Sequence, residues 1–133
     1  SGELGTTTLN YTTSTTPAIA GNDINDVAIT YLPAAPINAA TGLQGVTIAL
    51  GVDGGATYMA SVIQSDGNVY NVGSGSIARQ VSISSEYELI VVRSNEIVEV
   101  WNDIGAIAAD GASPDTTYAA ADTLGTPMKV EAA

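Results

Sequence analysis

The hydrophobic and polar positions of this chain follow one rhythm over most of its length, an alternation with a period of two. In "INDVAITYLP", Val27, Ile29 and Tyr31 fall on one face of an extended segment that Pro33 ends. "VTIALGV" from Val46, "ATYMASVIQ" from Ala56 and "VYNVG" from Val69 continue the pattern. Successive strand side chains point to opposite faces, so such alternation marks half-buried strands. "DGG" and "SDGN" separate these runs, and Asp-Gly between alternating segments is a hairpin signal because the turn needs positive φ. "SIARQVSI", "EYELIVV" and "IVEVW" then carry Ile77, Val81 and Ile83, Tyr87, Leu89 and Val91, and Ile97 and Trp101 on single faces. Between the last two runs, Asn95 is the residue suited to a left-handed turn. "TPMKVEA" reads as a closing edge strand.

Two segments break the rhythm. "PAAPINAATGLQG" has two Pro and two Gly and no sustained period, which makes it a long loop. In "SPDTTYAAAD" Ser113 can cap, Pro114 suits a first helical position and Asp115 suits the positive helix end, so one short helix is expected there. Residues 1–21 hold scattered apolar positions and read as an extended N-terminal arm, leaving 22–133 as a single domain. Eight or nine strands at a spacing of about ten residues, with that helix near the C-terminus, predict an all-β antiparallel sandwich. A jelly roll is the favoured form and an immunoglobulin-like sandwich the second.

Composition agrees. Val and Ile number 24 against 7 Leu, with 15 Thr, and β-branched residues suit a pleated strand better than a helix. Cys and His are both absent. Their absence removes disulfides, thiolate nucleophiles, zinc–thiolate sites and the usual base at neutral pH, so no enzyme, cofactor or metal site is expected. The net charge of −11 repels phosphate backbones and anionic membranes, which argues against nucleic acid and membrane partners. No run approaches the roughly 20 apolar residues of a membrane span, and the first residues lack the layout of a secretory signal.

Oxygen-ligand chemistry is the remaining possibility. "GNDIND" lacks the Gly and the closing Glu of a calcium loop, and Asn-Asp pairs also make ordinary turns. Glu86, Glu88, Glu96 and Glu99 are the candidates for a glycosidase pair, but their positions in one hairpin predict a solvated sheet face. "GSGS" from Gly73 has no following Lys and reads as a turn. Trp101 alternates with Ile97 and is expected in the core, whereas Tyr58 and Tyr70 are candidates for stacking on a sugar.

The segment Tyr87 to Asp103, "YELIVVRSNEIVEVWND", resembles the paired strands of laminin-G and concanavalin-like lectin sandwiches. Those families often bind calcium and glycans, although no set of ligand positions here matches theirs. The whole chain resembles small virion structural proteins of tailed phages in its Thr- and Ala-rich β domain, its acidity, its lack of Cys and His and its N-terminal arm. The resemblance implies a capsid decoration (cement) protein, homo-oligomeric with a trimer favoured, located on the capsid surface. Its partners would be the major capsid protein or other virion subunits. Leu4, Leu9 and Tyr11 on the arm, with Pro33, Pro36 and Leu43 in the long loop, are then the expected contact residues. The alternative is a glycan-binding module of a phage fibre or an extracellular adhesin, using Tyr58, Tyr70 and loop carboxylates.

Overall fold

The computed structural model describes residues 18–53, 57–75 and 77–119. Leu4, Leu9, Tyr11, the two glycines of "DGG" and the closing "TPMKVEA" segment lie outside the described residues. Within them the chain is all-β and folds as two four-stranded antiparallel sheets. Strands β1 (Asp23–Thr30), β2 (Thr47–Asp53), β3 (Ala60–Ile63) and β4 (Val69–Val72) form the first, in chain order. Strands β5 (Ala78–Ile83), β6 (Leu89–Arg93), β7 (Val98–Trp101) and β8 (Thr116–Tyr118) form the second, again in chain order. Each sheet is therefore a simple meander. The sandwich is as expected, but these strands show no crossing connection of the jelly-roll kind.

The core lies between the sheets. Ala49, Ala60, Val62 and Val72 of the first sheet meet Val81, Leu89, Val91 and Trp101 of the second. Small residues set the spacing at the point of closest approach: a Cβ on Gly51 would stand 3.1 Å from Val81 Cγ1 and 3.3 Å from Ala78 Cβ. Strand β1 lies beside β5, and side chains join them where backbone pairing does not. Asn25 Nδ2 donates to the Ala78 carbonyl at 2.9 Å, and Val81 N–H donates to Asp26 Oδ2 at 2.9 Å. The Asn-Asp pair considered for calcium thus ties the sheets together.

Three hairpins share one turn. Gly67 N–H donates to the Gln64 carbonyl (2.9 Å), Tyr87 N–H to Ser84 (3.0 Å) and Glu96 N–H to Arg93 (3.0 Å), with φ of 89°, 65° and 66° at the donors. This is a type I turn followed by a left-handed residue, a common three-residue hairpin. The left-handed position after Arg93 belongs to Glu96. Asn95, expected there from its type, precedes it, and its Oδ1 accepts from Ile97 N–H at 3.5 Å.

The helix expected from Ser113 is not formed among the described residues; Thr116–Tyr118 is strand β8. The local capping chemistry is diverted. Asp115 N–H donates to the Val100 carbonyl (2.8 Å) and its carboxylate accepts from Asn102 N–H (2.7 Å). Two β-branched Thr then pair with β7, so the tertiary edge prevails over a weak local preference. The only helical element described is a single 3-10 turn, Ile104–Ala106, capped by Asp103.

One face predicted from the pattern points away from the core. Val27, Ile29 and Tyr31 do share a face, but they are 48%, 60% and 58% exposed.

Candidate functional site

The long loop after β1 is folded, and one side chain clamps its base. Gln44 Nε2 donates to the Leu32 carbonyl at 2.8 Å, with longer contacts to Ala35 and Pro33. Ile37 bridges to Gln44, and Asn38 N–H donates to the Leu43 carbonyl at 2.8 Å. The loop is consequently a small hairpin projecting from the end of the first sheet. Its two legs carry Ile37 and Leu43, 69% and 68% exposed, the two most exposed large apolar residues described. Leu43, one of the residues proposed from the sequence for partner contact, stands in solvent on this hairpin. Pro33 and Pro36 are elsewhere: they face an open groove below the protrusion. The exposure of Ile37 has no counterpart in the sequence reading, because a lone Ile in a loop carries no periodic signal.

That groove has a volume of about 790 Å³ and combines the loop with the hairpin turns of both sheets. Tyr70, Tyr87, Asp66, Glu86 and Asp103 line it along with the two prolines. Its floor is braced by Gln64, whose Nε2 donates to the Ile104 carbonyl (2.8 Å) and the Ile107 carbonyl (3.2 Å). Two of the three carboxylates are engaged in local structure. Asp66 accepts from Asn68 N–H and Nδ2 at 2.9 and 2.8 Å, and Asp103 Oδ1 accepts from Gly105 N–H at 2.8 Å. Among the described residues, no three acidic side chains converge as a metal site would require. Tyr58 does not line this groove and stands beside Gly111 instead. The two tyrosines expected to act together are therefore apart, and Tyr87 takes the second place. Its position depends on its own left-handed backbone, φ 65°, where the sequence reading sees a strand residue.

Glu99 departs furthest from expectation. Glu86 and Glu96 are exposed as a solvated face requires, but Glu99 is 2% exposed and lies between the sheets. Its Oε1 accepts from Ser74 Oγ at 2.9 Å, its Oε2 accepts from Ser74 N–H at 3.3 Å, and Arg93 Nη1 lies 3.5 Å away. The sequence reading sets Glu99 on the solvated face opposite Trp101; in β7 it stands two residues from Trp101, and both are buried on the same inward face. Arg93 reaches Glu99 across the β6–β7 hairpin, diagonal to the Val91–Glu99 pair, and Ser74 reaches it from the connection between β4 and β5. The carboxylate faces a guanidinium and a hydroxyl rather than a second acid, so this is a structural ion pair without the geometry of a glycosidase pair. Trp101 is buried as expected and donates from Nε1 to the Ala112 carbonyl at 2.9 Å. Scans of the chain against protein-family models, curated proteins and solved structures find no match.

Proposed function

We propose that the chain is a non-enzymatic virion structural protein of the capsid-decoration kind, acting on the capsid surface by bridging subunits of the major capsid protein. The observation that carries this reading is the clamped protrusion. It holds Ile37 and Leu43 about two-thirds exposed, on a base fixed by hydrogen bonds from Gln44 and Asn38. Apolar anchors on a pre-ordered element are what a protein–protein contact uses, because less ordering entropy is lost on docking. The charge of −11 supports it from another side, since an acidic cement is repelled by the genome it encloses. Burying either anchor in a partner pocket contributes about 1.5–3 kcal/mol.

The test is co-sedimentation of the purified chain with empty shells of the virus that encodes it. Leu43→Asp should leave the circular dichroism spectrum unchanged and weaken shell binding by about tenfold or more. Binding that is indifferent to Leu43→Asp would remove the protrusion as the contact, and with it the main support for this reading.

The groove supports a second reading, a glycan-binding module of a phage fibre or an extracellular adhesin. Tyr70 and Tyr87 supply ring surface, the acids and Asn102 supply hydroxyl partners, and the volume suits a short oligosaccharide. On an array of immobilised glycans this reading expects a signal that Tyr87→Ala abolishes; an array silent for the parent chain rejects it.

A further inference from the structure

The two sheets are successive copies of one pattern. Each first strand carries a bulge near its start, between Ile24 and Asp26 in β1 and between Ala78 and Gln80 in β5. Counting from the bulge, Val27 corresponds to Val81 and Ile29 to Ile83. The rungs then run Val27–Leu50–Ser61–Asn71 in the first sheet and Val81–Val91–Glu99–Thr117 in the second. The segment entering each sheet crosses this rung at the third strand. Ala20 N–H donates to Ser61 Oγ at 2.8 Å, just as Ser74 donates to Glu99. Ser61 and Glu99 are equivalent positions.

The equivalent faces have opposite fates. In the second sheet this face is buried by the first: Val81 is 4% exposed, Val91 and Leu89 are 0%. In the first sheet it looks outward: Val27 and Ile29 are about half exposed and Ile48, Ile63 and Val69 partly so, while Leu50 and Ser61 in the middle of the face are buried, Ser61 beneath the entering segment at Ala20. The reverse holds for the other face. Ala28, Ala49, Val62 and Tyr70 of the first sheet pack on the core, whereas the matching rung of the second, Ser82–Ile90–Val100–Thr116, looks out. The next rung, Gln80–Val92–Val98–Tyr118, is likewise outward and uncharged. The chain therefore already contains one head-to-tail contact, and it leaves partly exposed the two faces that a second identical contact needs.

From this the geometry points to a second copy of the chain as the occupant. The outward face of the second sheet in one copy packs on the outward face of the first sheet in the next, repeating the stacking seen inside each chain. Charge favours these faces. Copies of a chain with net charge −11 repel one another, and the rungs that would meet are free of charged side chains. A head-to-tail contact closes into a ring when its rotation allows. Radial arrays of four-stranded meanders close at roughly four to eight sheets, which two to four copies of this two-sheet unit supply. A trimer lies within that range. This inference stands apart from the virion reading, because the ring can form whether or not it docks on a shell.

Native mass spectrometry and light scattering of the full chain at tens of micromolar test it. The parent should be a closed oligomer of two to four copies, and Leu43→Asp should leave that mass unchanged. Ile29→Asp spoils one face and Val98→Asp the other, so each alone should fall to monomer while remaining folded by circular dichroism. Mixed in equal amounts, they should give a dimer and stop there, since each retains the face the other lost. If aspartate unfolds either chain, Ile29→Ser and Val98→Thr should lower the oligomer fraction severalfold. A monomeric parent, or a mixture that stays monomeric, overturns head-to-tail assembly.

Discussion

Trp101→Ala should lower the unfolding free energy by about 3–5 kcal/mol, among the largest effects of any single substitution in this chain. The indole is buried in the core cluster with Leu89, Ile104 and Ile107, and its removal opens a cavity that the flanking strands can only partly fill. It also strips the Ala112 carbonyl of its donor, the bond that pins the segment leading from the 3-10 turn into β8. For a domain whose total stability is about 5–15 kcal/mol, the loss approaches complete unfolding. Urea titration followed by far-ultraviolet circular dichroism reads it, since the variant has no Trp fluorescence. Trp101→Phe separates the two contributions, keeping most of the apolar burial and losing the hydrogen bond. A midpoint shift below a tenth of the alanine expectation would mean that the indole lies outside the core.

The second large effect is at Glu99. Replacing it by Ala leaves Ser74 without its acceptor and Arg93 without its counter-charge, while a cavity forms beside Met59. Breaking a buried ion pair from one side costs about 3–5 kcal/mol. Arg93 is 20% exposed and can turn toward water, which moves the expectation to about 2–4 kcal/mol. Glu99→Gln retains an acceptor for Ser74 and should fall at less than half that cost. The packing around the pair explains the glycines that border it. A Cβ on Gly75 would come within 2.6 Å of Arg93 Nη2, and Gly73, at φ +84°, has Glu99 Oε2 3.2 Å from the same point. Equal stabilities for Glu99→Ala and the parent would show that the carboxylate is idle.

How much of this was legible in the letters depends on the range of the interaction. Strands read well, because alternation of Val, Ile and Thr is a local record of a two-sided environment. Seven of the eight described strands, β1 to β7, coincide with the alternating runs, and the all-β sandwich follows from them. Burial of Trp101 was legible for the same reason, through its spacing from Ile97. Thr116–Tyr118 was misread, since Ser113, Pro114 and Asp115 carry good helix-start chemistry and only the free edge of β7 redirects them. The outward turn of Val27 and Ile29 was equally hidden. Alternation says that a face is apolar and is silent on what covers it. The groove escaped because it gathers Pro33, Asp66, Tyr87 and Asp103 from four separate connections. The sheet order also lay beyond local pattern, since a meander and a jelly roll use the same strands and differ only in long-range pairing.

Imaging the parent chain end-on by electron cryomicroscopy is the measurement closest to the centre of this account. Repetition of the stacking already present between the two sheets predicts a ring with cyclic symmetry, in which four-stranded sheets radiate from an axis lined by β1 and β5. Isolated two-sheet particles, or pairs related by a two-fold axis through a single face, would contradict it.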